Sequence, residues 1–86
     1  MEVEFDAAKD AVNKAKHGVS LSDAERFDFD TALTGIDDRF DYGEIREFAI
    51  GWLGSRLFYL VYTMRGDAVR VISLRPANQR ESERYG

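Results

Sequence analysis

The stretch REFAIGWLGSRLFYLVYTMRGDAVRVISL, residues 46–74, decides the fold. Its opening, 46–53, alternates and puts Phe48, Ile50 and Trp52 on one side, the period-two pattern of a strand. Gly54-Ser55 interrupts it with a tight turn, a hairpin signal. The next run, 56–64, is apolar on both faces, so it belongs in the middle of a sheet. Arg65-Gly66-Asp67 turns the chain again, and 68–74 places Val69 and Val71 on one face and Arg70 and Ile72 on the other. Strands joined by such short turns form an antiparallel meander.

Working toward the N-terminus, TALTGI (31–36) reads as a further strand and DDRFDYGE (37–44) as a solvated acidic turn. EVEF (2–5) reads as a short strand with Val3 and Phe5 on one face. Asp6 suits an N-cap. Residues 7–17 then have helical spacing, with Ala7, Ala8, Ala11, Val12 and Ala15 on one apolar arc and Lys9, Asn13, Lys16 and His17 on another. An apolar arc is the face a helix normally turns to a core. Gly18 supplies the stop. Ser20 followed by Asp23 resembles a capping box for a short second helix burying Leu21, Ala24 and Phe27. Toward the C-terminus, Pro76 cannot continue a central strand, and Asn78 suits the cap of a last helix, 79–85. The order of strand, two helices, meander and short helix predicts an α+β domain spanning 1–86. Its helices are expected on one face of a mainly antiparallel sheet.

Composition narrows the function. Eighty-six residues make one small domain, and such a chain buries only about 60–65% of its unfolded surface. With no cysteine, no disulfide can help, which fits a reducing compartment. The longest apolar run, 57–64, is far short of the roughly 20 residues of a membrane span. No secretory signal pattern opens the chain. The expectation is a soluble cytoplasmic protein. A net charge of −4 argues against broad coating of nucleic acid but leaves room for one local basic site. The charge is uneven: residues 65–86 hold five arginines against three acids, a net of +2, while 1–64 carry −6.

One histidine, no cysteine and scattered carboxylates provide no metal-ligand spacing, and no cofactor motif is present. No Gly-rich phosphate loop follows a strand, and no Ser-His-acid set can be assembled. Arginine is what remains. Arg70 sits among apolar residues, so it must be paired, with Glu47 or Glu81, or must face a cleft as a phosphate fork. Arg75 stands at the strand end. Arg80 and Arg84 share a face of the last helix, and Tyr85 carries a hydroxyl beside the terminus. For any one arginine a surface ion pair is the commoner role; together they point to an anion site. Lys16-His17 fits a helix C-terminus or a contact surface with a proton-transfer group. Asn13 is a poor helix-interior residue and calls for a hydrogen-bond partner or an external one. Phe48, Trp52, Phe58, Tyr59 and Tyr62 suit a core better than a base-stacking platform.

Two of these segments carry a family resemblance. FDAAKDAVNKAKHGVSLSDA (5–24) resembles the opening signature of the BrnT toxins, and YTMRGDAVRVISLRPANQRESERY (62–85) resembles their closing one. The resemblance implies a RelE-like fold and a ribonuclease toxin of a type II toxin–antitoxin pair. It implies RNA cleavage by 2′-hydroxyl attack, with no metal and no cofactor. The implied partner is a BrnA-like ribbon-helix-helix antitoxin, as a heterotetramer or beside a toxin homodimer. Carried over by residue, Arg70 and Arg75 match arginines expected to hold the scissile phosphate. Glu81 and Tyr85 match a downstream pair that orients an arginine and assists proton transfer. His17 is a candidate acid–base group. Lys16, Arg65, Ser73 and Arg80 are candidate RNA contacts. Met64 stands where many members carry Glu, Pro76 replaces a commonly basic residue, and Asn78 and Gln79 make the tail less basic. The alternative is therefore a catalytically weak or inactive module that pairs with the antitoxin to regulate transcription.

Overall fold

The computed structural model of the chain describes residues 2–38 and 43–86. Strand β1 (Glu2–Glu4) leads into helix α1 (Ala7–His17) and a 3₁₀ helix (Leu21–Arg26). Strands β2 (Leu33–Asp37), β3 (Arg46–Leu53), β4 (Arg56–Arg65) and β5 (Ala68–Pro76) follow, and α2 (Gln79–Tyr85) closes the chain. One sheet holds all five strands in the order β1-β5-β4-β3-β2. β1 runs parallel to β5, and the other neighbours are antiparallel. β4 is the middle strand, as its apolarity on both faces requires.

The two faces of the sheet have separate cores. On the first, Leu60, Tyr62, Val69, Val71 and Leu74 pack against Leu21, Ala24 and Phe27 of the 3₁₀ segment. On the second, Phe48, Ile50, Tyr59 and Val61 pack with Ile72 and Tyr85. The expectation that the helices lie on one face is corrected here, because α2 packs against β3 and inserts Tyr85 into the second core. The physical reason is β4 itself: both of its faces are apolar, so both need cover.

Helix α1 also differs from expectation. Its apolar arc faces outward: Val12 is 54% exposed and Ala8, Ala11 and Ala15 are exposed, while the buried positions are Asp10 and Asn13. Alanine methyls bury little area, whereas the two polar groups each close several backbone gaps. The Asp10 carboxylate accepts from the Leu21 N–H at 2.8 Å and the Ser20 hydroxyl at 3.0 Å. The Asn13 amide donates to the Leu74 carbonyl at 2.8 Å and the Val19 carbonyl at 3.0 Å, and accepts from the Leu74 N–H at 3.2 Å. β1 pairs with β5 only as far as Arg70. Beyond that point Asn13 supplies the donor and acceptor that a neighbouring strand would provide. The helix is thus pinned to the sheet edge by polar bonds.

Both ends of α1 follow the sequence reading. The Asp6 carboxylate accepts from the Ala8 and Lys9 N–H groups, and Gly18 takes the left-handed cap at φ 74°. The Ser20–Asp23 capping box is present, but it opens a 3₁₀ helix. β2 starts two residues later than the strand expected at 31–36, and β5 extends to Pro76. Residue 37, expected in the acidic turn, ends β2 as a buried aspartate. Positions 39–42 of that turn lie outside the described residues. Gly51 lets the segment after the 3₁₀ helix close on β3: a Cβ there would lie 2.8 Å from the Phe27 ring.

Candidate functional site

The site depends on a bulge in β5. Val71 opposes Tyr62 and Ser73 opposes Val61, so Ile72 is an extra residue and the register shifts there. Before it, Val69 and Val71 point into the first core; after it, Leu74 does. A bulge reverses the phase of alternation. Strict alternation from Val69 would bury Arg75 beneath the first core and turn Leu74 away from it. With the bulge, Arg75 emerges on the second face, its guanidinium 4.5 Å from the centroid of the Tyr59 ring. Arg70 faces the same way. It opposes Glu4 in register, and Nη1 lies 3.9 Å from Glu4 Oε1. The carboxylate expected beside Arg70, such as Glu47 or Glu81, is Glu4.

Arg75 is held from several directions. Nη1 and Nη2 donate to Glu81 Oε1 and Oε2 at 2.7 and 2.8 Å, a bidentate fork of the strong, charge-assisted kind. Glu81 Oε1 also accepts from the Asn78 N–H at 2.9 Å, and Asn78 Oδ1 from the Glu81 N–H at 2.9 Å. Glu81 therefore completes the capping box of α2 and fixes the arginine with one carboxylate. Beneath the guanidinium, Tyr59 stacks on Phe48 with centroids 5.6 Å apart. Arg84 lies 5.0 Å over the Phe48 ring. Two cations thus rest on one buried aromatic pair. The sequence reading assigned these rings to the core, and they are buried; their second task, as a seat for guanidinium groups, was missed. Trp52, by contrast, is 39% exposed.

The other candidates divide by location. Lys16, His17 and Ser73 line one cleft of about 340 Å³ between α1 and β5. Tyr85 packs on the second core, its hydroxyl donating to the Thr31 carbonyl at 3.2 Å and its ring edge-on to Trp52. Arg80 is exposed on α2. Arg65 opposes Ala68 at the turn end of β4, six residues or roughly 20 Å from Tyr59 along the strand. Arg70 and Arg75 oppose Thr63 and Tyr59, a separation of about 13 Å at 3.3 Å per residue. Among the described residues, no three or more His, Asp or Glu side chains gather as a metal site. No helix among them is long and apolar enough to cross a membrane.

A comparison at the level of sequence families identifies the chain's relatives. Residues 5–81 match the model described as "Ribonuclease toxin, BrnT, of type II toxin-antitoxin system". The chain belongs to the BrnT toxin family. The crystal structure of the Brucella abortus ribonuclease toxin BrnT is similar to it, with a TM-score of 0.69 at 30% identity, covering 92% of this chain and 99% of that one. No curated protein matches. BrnT membership places the chain in a ribonuclease toxin family and implies an antitoxin partner. The two signature stretches from which the resemblance was read form α1 with its 3₁₀ continuation, and β4 through α2.

Proposed function

We propose that this chain is a cytoplasmic ribonuclease toxin of RelE-like fold that cleaves RNA without metal or cofactor and is neutralised by a BrnA-like ribbon-helix-helix antitoxin. The observation that carries this reading is the phase change in β5, which turns Arg70 and Arg75 to the same face. About 13 Å apart along the strand, they suit separate phosphates of one RNA strand better than a single one. Arg75, oriented by Glu81 and seated on Tyr59, is the preorganised donor for the charge that builds on the scissile phosphate. Arg70, in a long pair with Glu4, exchanges that contact for the neighbouring phosphate.

In the reaction, the ribose 2′-oxygen bonds to phosphorus and the bond from phosphorus to the 5′-oxygen breaks. The products are a 2′,3′-cyclic phosphate and a 5′-hydroxyl. The 2′-hydroxyl proton passes to a base, and the leaving oxygen receives one. Glu81 is engaged by Arg75 and the α2 cap, and Tyr85 by Thr31. That leaves His17, half-buried in the α1–β5 cleft, as the proposed proton carrier, with Lys16 and Ser73 guiding the strand. Arg65 and Arg80 make outlying RNA contacts.

The second reading, a weak or inactive module that pairs with the antitoxin to regulate transcription, is favoured by the same Arg75–Glu81 fork, since the guanidinium already has a carboxylate partner. One experiment separates them. End-labelled RNA is incubated with the purified chain in EDTA. The ribonuclease reading expects cleavage to cyclic-phosphate ends, reduced about 10²–10³-fold by Arg75→Ala and strongly by Arg70→Ala. Intact RNA at low salt would leave the binding module.

A further inference from the structure

The outward apolar arc of α1 is unexplained by packing within the chain. Ala8, Val12 and Lys16 form a ridge at four-residue spacing, and that ridge is one wall of the α1–β5 cleft, with Ile72 on the opposite wall. Val12 is 54% exposed. Lys9, Lys16 and His17 surround the aliphatic strip, and no carboxylate lines the cleft, on a chain whose net charge is −4. The cleft is thus a basic-rimmed apolar groove on an acidic protein.

We infer that this groove is a docking site for an acidic segment of the protein antitoxin, one that inserts an aliphatic side chain between Val12 and Ile72 and sets carboxylates against Lys9 and Lys16. Resting on the proposed toxin reading for the class of partner, the inference adds where that partner binds and by what chemistry. The aliphatic strip of Ala8, Val12 and Ile72 favours a protein side chain over RNA. No Phe, Tyr, Trp or Arg side chain lines the groove, its ring being that of His17, and aliphatic walls return free energy only to an apolar occupant. Charge complementarity then selects an acidic segment over a basic one. Such a segment also lies over Lys16 and His17, so docking and silencing are one event.

The test uses the purified chain and a purified BrnA-like ribbon-helix-helix antitoxin, measured by titration calorimetry at low and high salt. Val12→Glu should weaken the complex at least about tenfold, as loss of a buried anchor does. Lys9→Glu should weaken it less and mainly at low salt. Both line the cleft that also holds His17 and Lys16, so RNA cleavage is read beside the affinities and does not decide the docking site. Ala8→Glu, one turn earlier on the same exposed ridge, repeats the test if Val12→Glu lowers the melting temperature. Unchanged antitoxin affinity in Val12→Glu and Ala8→Glu overturns the inference. So does lost RNA binding with intact antitoxin affinity, which would make the groove an RNA channel. If the parental chain cleaves no RNA, the ribonuclease reading fails, yet the affinities still decide the docking site.

Discussion

Arg75 and Glu81 face each other across the turn between β5 and α2, joined by two hydrogen bonds of 2.7 and 2.8 Å. Because the same carboxylate accepts the Asn78 N–H, the position of the arginine and the start of the last helix are one structural unit. Glu81→Gln keeps an oxygen for the helix cap and gives up the charged fork. Turnover should fall about 10- to 100-fold, the usual cost of a misplaced group, with little change in KM. A matched fall in RNA affinity would instead assign Glu81 a binding role.

Arg65 occupies the opposite end of β4 from the Arg75 seat. As an outlying phosphate contact, it should contribute affinity and no rate. Arg65→Ala is expected to raise KM, leave kcat unchanged, and lower the salt slope of single-stranded RNA binding by about 0.7. Titration of binding against salt concentration reads this directly.

Asn13 holds α1 to the sheet edge through Leu74 and Val19. Asn13→Ala leaves the Leu74 amide and carbonyl without those partners, at a cost of about 3 kcal/mol. In a domain of this size that lowers Tm by more than about 10 °C. Asn13→Asp is informative beside it, since it retains the acceptor for the Leu74 N–H and loses both donated bonds. Thermal unfolding followed by circular dichroism should place it below the parent.

Gly51 is where β3 meets the segment after the 3₁₀ helix. A methyl there would lie 2.8 Å from the Phe27 ring, 3.0 Å from Ala32 Cβ and 3.1 Å from the Asp28 carbonyl oxygen. Gly51→Ala should destabilise by about 1–3 kcal/mol through overpacking. The Asp28–Trp52 backbone bond of 2.9 Å should lose amide-exchange protection first.

The Leu21 N–H holds the Asp10 carboxyl below its ordinary range, with help from Ser20 and Lys14. A carboxyl depressed on folding stabilises the protein above its unfolded value of about 3.9 and ceases to do so as pH falls through the folded one. Asp10→Asn should therefore lower Tm at pH 7, and the gap from the parent should narrow as the pH drops below 4. Parallel melting curves across that window check the sign.

Local signals in the sequence were faithful where a short-range interaction sets the structure. Asp6, Gly18, Ser20 with Asp23, and Asn78 all cap as their residue types suggest, and the turns at Gly54 and Gly66 fall where expected. The candidate site was legible as a set of residue types, not as a geometry. Arg70 and Arg75 differ in parity, which in a regular strand means opposite faces. Two arginines of opposite parity on a strand with a buried face are the cue that a bulge intervenes. For the outward arc of α1 the cue was Asn13 inside a helix, and it named no partner, because the worth of Asn13 depends on Leu74, 61 residues away.

By itself, then, the sequence determined the element order, the central place of β4, the caps and the turns, since each follows from chemistry within a few residues. Tertiary structure alone decided which face Arg75 takes, that Glu81 serves both helix and arginine, that α2 covers the second core, and that α1 buries amide and carboxylate instead of alanine. These rest on contacts between distant segments. There the unmet hydrogen bonds of a sheet edge, or an apolar face without cover, outweigh the preference of any local pattern.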